Sequence, residues 1–213
     1  MICDLELFSQ ALFKGVCDNN FKSIFMKNIL AFLVAMIGFS ILSVAQIQLF
    51  AKFTPGESVS PDINIFGYAG KINKSGSLKL TYFALVEKSW AEGLIGISYA
   101  PAKWCELGLQ VGIESAPSVY RVSGSVFLAL NSKTTFFTCM EKGDGKNNWW
   151  YKSTLSYCPK EKFSFGLMSW RYNGTGVFLK HTFLKGKLGL WINPAYDLEV
   201  KTERFTVGLD IKI

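Results

Sequence analysis

The stretch Cys105-Glu106-Leu107-Gly108-Leu109-Gln110-Val111-Gly112-Ile113 decides how this chain is read. Its odd positions are apolar and its even positions are polar or lack a side chain. Successive side chains on a strand point to opposite faces, so this segment has one greasy face and one wet face. The chain closes in the same way: Phe205, Val207, Leu209, Ile211 and Ile213 alternate with Arg204, Thr206, Gly208, Asp210 and Lys212. One such strand is ordinary in a soluble sheet. Repeated along most of a chain that follows an export signal, the pattern points to a barrel with an apolar exterior and a polar interior.

The export signal is read at residues 26–45. Met26-Lys27-Asn28 begins a basic region, residues 29–42 are apolar apart from Gly38 and Ser40, and Ser43-Val44-Ala45 supplies the small residues that a signal peptidase reads. The mature chain is expected to start at Gln46. Asp4, Glu6 and Asp18 place acids ahead of that signal, so residues 1–25 are read as an upstream extension outside the fold. The segment set aside balances Lys14, Lys22 and Lys27 against those three acids, and the net charge of +7 stays with the barrel.

Composition fits this reading. Hydrophobic residues make up 49% and charged residues 18% of the 213, which is greasier and less charged than an average soluble domain. Of the five cysteines, Cys105, Cys139 and Cys158 lie after Ala45. An odd number without CxxC spacing excludes a disulfide framework and a zinc site. No segment after Ala45 is long and apolar enough for a membrane helix, so insertion must be through strands.

Alternation from Gln46 onward predicts ten to twelve antiparallel strands, with twelve favoured: 46–54, 62–72, 77–87, 92–100, 104–114, 119–131, 133–141, 149–158, 161–171, 175–183, 186–196 and 203–213. Lengths near ten residues suit a tilted strand crossing a bilayer. Longer and shorter connections roughly alternate, as in barrels with tight turns on one side of the membrane and longer loops on the other. Hydrocarbon offers no hydrogen-bond partners, so the sheet must close on itself. Trp149, Tyr151, Tyr157 and Tyr196 fall near strand ends on the apolar face, where rings with a polar tip favour the interface. Strand 62–72 is the ambiguous one: Ile63 and Ile65 face one way, Phe66 and Tyr68 the other.

With the signal ending in Ser43-Val44-Ala45, the alternating strands and the terminal strand Arg204–Ile213, the chain resembles the small porin-like outer-membrane β-barrel proteins of Gram-negative bacteria over 46–213. The resemblance implies an outer-membrane location, contact with the lipid bilayer and the barrel insertion machinery, and passage of small solutes. Such barrels usually end in an aromatic residue, whereas this chain ends in Ile213.

The chemistry is expected in the lumen. Alternation turns Lys52, Lys79, Arg121, Lys152, Lys162, Lys180, Lys187, Arg204 and Lys212 inward, against the acids Glu87, Glu106, Glu114 and Asp210. Glu106 and Glu114 lie on the strand beside Arg121, close enough to pair across strands. The positive excess suggests a weakly anion-favouring passive pore, because fixed bases attract anions at close quarters. Arg121, Lys152 and Arg204 are expected to set that field, with Gln110, Glu106 and Glu114 lining the same wall.

Two other readings stay open. A closed structural or adhesive barrel would have a lumen plugged by these same side chains. A lipid-modifying enzyme would use His181, the one histidine, with Ser169 as the nearest serine; alternation turns His181 outward instead, where an interfacial histidine is the plainer reading. The glycines of Lys142–Lys146 lack phosphate-loop spacing, and the bases are too scattered for nucleic acid. No catalysis, cofactor or metal is expected.

Overall fold

The computed structural model describes residues 44–88, 90–115 and 120–213. Twelve strands follow one another: β1 (Val44–Phe53), β2 (Ser60–Lys71), β3 (Leu78–Val86), β4 (Ala91–Ala102), β5 (Cys105–Glu114), β6 (Arg121–Ala129), β7 (Thr134–Gly143), β8 (Trp149–Lys160), β9 (Phe163–Trp170), β10 (Gly174–Phe183), β11 (Leu188–Asp197) and β12 (Thr202–Lys212). Each pairs antiparallel with its neighbours in sequence, and β1 pairs with β12 to close the barrel. Closure gives every edge a partner, as hydrocarbon requires. The Ile213 amide extends it by donating to the Ala45 carbonyl at 3.0 Å. The expected leader and extension lie outside the described residues, save for Val44 and Ala45, which begin β1.

Cross-strand register fixes the faces. On β5, Leu109 lies opposite Ile97 and Gly124, while Gln110 lies opposite Gly96 and Ser123. The first set looks outward: Leu109, Val111 and Ile113 are 61%, 55% and 64% exposed. Ile95, Ile97, Phe165, Leu167 and Leu190 are exposed on the same wall. A surface this apolar needs lipid, since soluble monomers rarely expose such patches.

The ambiguous strand is settled by its partners. Asp62, Asn64 and Phe66 of β2 oppose the inward Phe50, Gln48 and Gln46 of β1, so register puts Ile63 and Ile65 on the outer side, where Ile63 is exposed and Ile65 is buried. The register slips between Tyr68 and Gly70. A bulge of this kind adds a residue to one strand and breaks strict alternation.

β1, β3, β5, β7, β9 and β11 end at one rim, here the loop rim, which carries the connections 54–59, 144–148, 171–173 and 198–201. The turns 72–77, 103–104, 130–133, 161–162 and 184–187 share the other. The asymmetry in length is partial, because 72–77 is as long as 54–59. Tight reversals put Tyr172 and Lys201 in the left-handed region at φ 70° and 53°.

Candidate functional site: the barrel lumen

All six lumen residues proposed from the sequence lie on inward faces, in four separate groups. Arg121 anchors the first, beneath the loop rim. Its Nε lies 2.8 Å from Glu92 and 2.9 Å from Glu141, and its Nη1 lies 2.8 Å from Glu114. The same Nη1 donates to Asn148 Oδ1 at 3.0 Å, and the Trp90 ring covers the guanidinium at 5.4 Å. Arg121, Glu92, Glu114 and Glu141 are all buried. One planar fork thus ties four neighbouring strands, β4 to β7, to the 144–148 loop.

Glu106 does not join that group. It accepts from Tyr68 Oη and Lys79 Nζ, each at 2.9 Å. Cross-strand adjacency suggested Arg121 as its partner, but register sets Glu106 opposite Phe127 and Arg121 opposite Gly112. Glu106 reaches instead across β4, where Ser98 leaves room. Gln110 crosses β4 likewise, over Gly96, to donate to Thr81 Oγ1 at 3.1 Å.

Arg204 forms the second arginine tie. Nη1 donates to Thr54 Oγ1 at 2.7 Å, and the guanidinium reaches Asp197 at 3.5 Å and Glu57 at 3.6 Å. Lys152 stands in the fourth group, among aromatic rings. Its Nζ lies 4.4 Å from the Trp170 ring centroid and 5.7 Å from that of Trp191.

The inward charge is more balanced than strand alternation indicated. Asp62, Glu92, Glu141 and Asp197 join the acids. Asp62 was hidden in the ambiguous β2, and the other three sit near strand ends, where alternation has least sequence to work on. Lys162 and Lys187 leave the strand wall, since both lie in connections. Lys162 still helps to line a recess of about 220 Å³ at the turn rim, with Ser156, Ser164, Lys180 and Thr182.

An inward aromatic layer escaped the sequence reading altogether. Phe50, Met168, Trp170, Phe178 and Trp191 form a buried cluster, with Trp150 against it. Phe50 of β1 and Trp170 of β9 are four strands apart around the wall, yet their ring centroids are 5.4 Å apart. Side chains therefore bridge the lumen at this level. Trp191 lies so flat on β12 that a Cβ at Gly208 would come within 2.1 Å of its ring. The available signal was Trp191 itself, out of phase with Leu188, Leu190 and Ile192.

His181 is exposed on the outer wall, 4.4 Å from the Phe183 ring. It lies opposite Phe163, whereas Ser169 lies opposite Thr175. Six residues of strand put about 20 Å between the two side chains, so they form no dyad. Among the described residues no cluster of His, Cys, Asp and Glu has metal-binding geometry.

No protein-family model matches the sequence, and no curated protein matches it. Solved structures do. A KdgM porin superposes with a TM-score of 0.58 at 11% identity, covering 79% of this chain and 99% of its own. A KdgM porin in complex with disordered oligogalacturonate gives a TM-score of 0.57 at 11% identity, with the same coverage. A NanC porin gives 0.51 at 7% identity, covering 79% of this chain and 100% of its own. At such identities the likeness speaks for the fold. The closed twelve-stranded wall with its exposed apolar band is that of a membrane-spanning β-barrel, and the chain has the fold of these porins.

Proposed function

We propose that this barrel is a passive pore for small solutes with a weak anion preference. The observation that carries the reading is the two-faced wall: exposed aliphatic residues outside, and a closed interior lined by Lys, Arg, Asp, Glu, Asn and Gln. An interior built only to be filled would not need so many charges, each of which is costly to take out of water. The preference is weak because most inward bases are paired. The neighbour solved with oligogalacturonate makes acidic sugars the first solutes to test.

The rival is a closed structural or adhesive barrel, favoured by the Phe50–Trp170 bridge. Planar bilayer recording separates the two. Protein extracted from outer membranes, its N-terminus reading Gln46, is expected to give discrete conductance steps and a reversal potential toward chloride in a potassium chloride gradient. The preference should shrink at 1 M salt, where the Debye length is about 3 Å. A folded barrel without steps removes the pore and leaves the closed barrel.

A further inference from the structure

The three bases expected to set the lumen field do not stand alike. Arg121 faces three carboxylates within 2.9 Å, and Arg204 faces two within 3.6 Å. Lys152 has no carboxylate within ion-pair distance among the described residues. Its neighbours Lys52 and Lys180 do: Lys52 lies 2.6 Å from Asp62 and 2.9 Å from Glu87, and Lys180 pairs with Asp210.

Asp210, the acid bound to Gln48 beside Lys152, has both carboxylate oxygens engaged elsewhere. Gln48 Nε2 donates to Asp210 Oδ1 at 2.8 Å, Trp191 Nε1 donates to the same oxygen at 3.0 Å, and Lys180 holds Oδ2. This arrangement also orients Gln48. With its amide nitrogen committed to Asp210, its Oε1 is turned to Lys152 at 3.5 Å. An ammonium carries three donors, and one long contact leaves the others free.

The rest of the cage is aromatic. Trp170 and Trp191 stabilise the ammonium through their π-faces without cancelling its charge. Lys52 also lies over Trp170, at 5.9 Å, but its charge is met by Asp62 and Glu87, which leaves Lys152 as the uncompensated cation of this cage. Phe50 meets Trp170 across the lumen at this level, and a crossing solute must pass close to Lys152.

The geometry points to Lys152 as an anion-docking point in the lumen and as the residue that sets the pore's anion preference, with Arg121 and Arg204 serving as structural ties. The ligand is a small anion: a halide, or the carboxylate of a larger solute whose apolar face rests on the tryptophans. The second half of this inference rests on the pore reading.

Two measurements on the folded full barrel test it. In planar bilayers, Lys152→Met is expected to keep conducting while its reversal potential in a potassium chloride gradient moves to zero or toward potassium; Lys152→Arg should keep the chloride preference. Unchanged selectivity in Lys152→Met would overturn the role in preference and leave the pore intact. The second measurement needs no conduction. Iodide should quench the tryptophan emission of the wild type and of Lys152→Arg well above Lys152→Met, while neutral acrylamide should quench all three alike. Equal iodide quenching in all three overturns the docking point. A wild-type barrel that binds iodide at Lys152 but never conducts would remove the pore reading and leave the docking point standing.

Discussion

Replacing Arg121 with methionine is expected to cost the barrel about 3–5 kcal/mol, the usual loss when one partner of a buried ion pair is removed. Arg121 is 4% exposed, and its guanidinium is the shared counter-ion of Glu92, Glu114 and Glu141. Without it three buried carboxylates repel one another, and the 144–148 loop loses its tie through Asn148. Arg121→Lys should also destabilise, because a point charge cannot serve several oxygens in the plane of a fork. Urea unfolding of the detergent-folded protein, followed by the gel shift between folded and heated forms, gives the measurement. Adding Glu92→Gln and Glu141→Gln to Arg121→Met should restore part of the loss. A stable Arg121→Met barrel with altered ion selectivity would make Arg121 a pore residue and contradict its structural assignment.

Leu109→Arg and Gln110→Arg should differ sharply although the positions are adjacent. Leu109 is 61% exposed at mid-strand on the outer wall. A charge facing lipid at mid-depth costs about 2–4 kcal/mol, so Leu109→Arg should impair assembly and lower the amount of heat-modifiable barrel in the membrane. Gln110 faces the lumen, and its replacement gives up one hydrogen bond to Thr81, worth about 1 kcal/mol. Gln110→Arg should therefore assemble nearly as well as the wild type. Equal damage from both would show that the inner and outer walls have been exchanged.

The strands were legible because a bilayer-spanning barrel writes its two faces directly into the sequence with period two. β5 and β12 carry that signal most cleanly, and their observed spans, Cys105–Glu114 and Thr202–Lys212, lie within about a residue of the expected ones. β2 was less legible because its inward face carries Phe66 and Tyr68 beside Asp62 and Asn64, and because a bulge follows Tyr68.

The lumen was harder to read for a different reason. Alternation tells which way a side chain points, but not how far it reaches. Glu106 finds Lys79 two strands away by crossing the small residues of β4, a contact that adjacency alone does not predict. The solitude of Lys152 likewise depends on β1, β10, β11 and β12 at once, through Gln48, Lys180, Trp191 and Asp210. The aromatic layer was missed because apolar residues were expected outside, so inward rings such as Phe50 and Trp170 carried no weight.

The central claim is that one face of each strand meets lipid while the other meets a polar lumen. Spin labels placed one at a time along positions 105–114, in a protein whose other cysteines are replaced, test it most directly. In lipid vesicles, collision with oxygen is expected to peak at 105, 107, 109, 111 and 113. Collision with a water-soluble nickel complex should be higher at the even positions, and the two profiles should stay out of phase along the strand. Profiles in the opposite phase, or no oxygen-accessible positions at all, would contradict the membrane-spanning barrel.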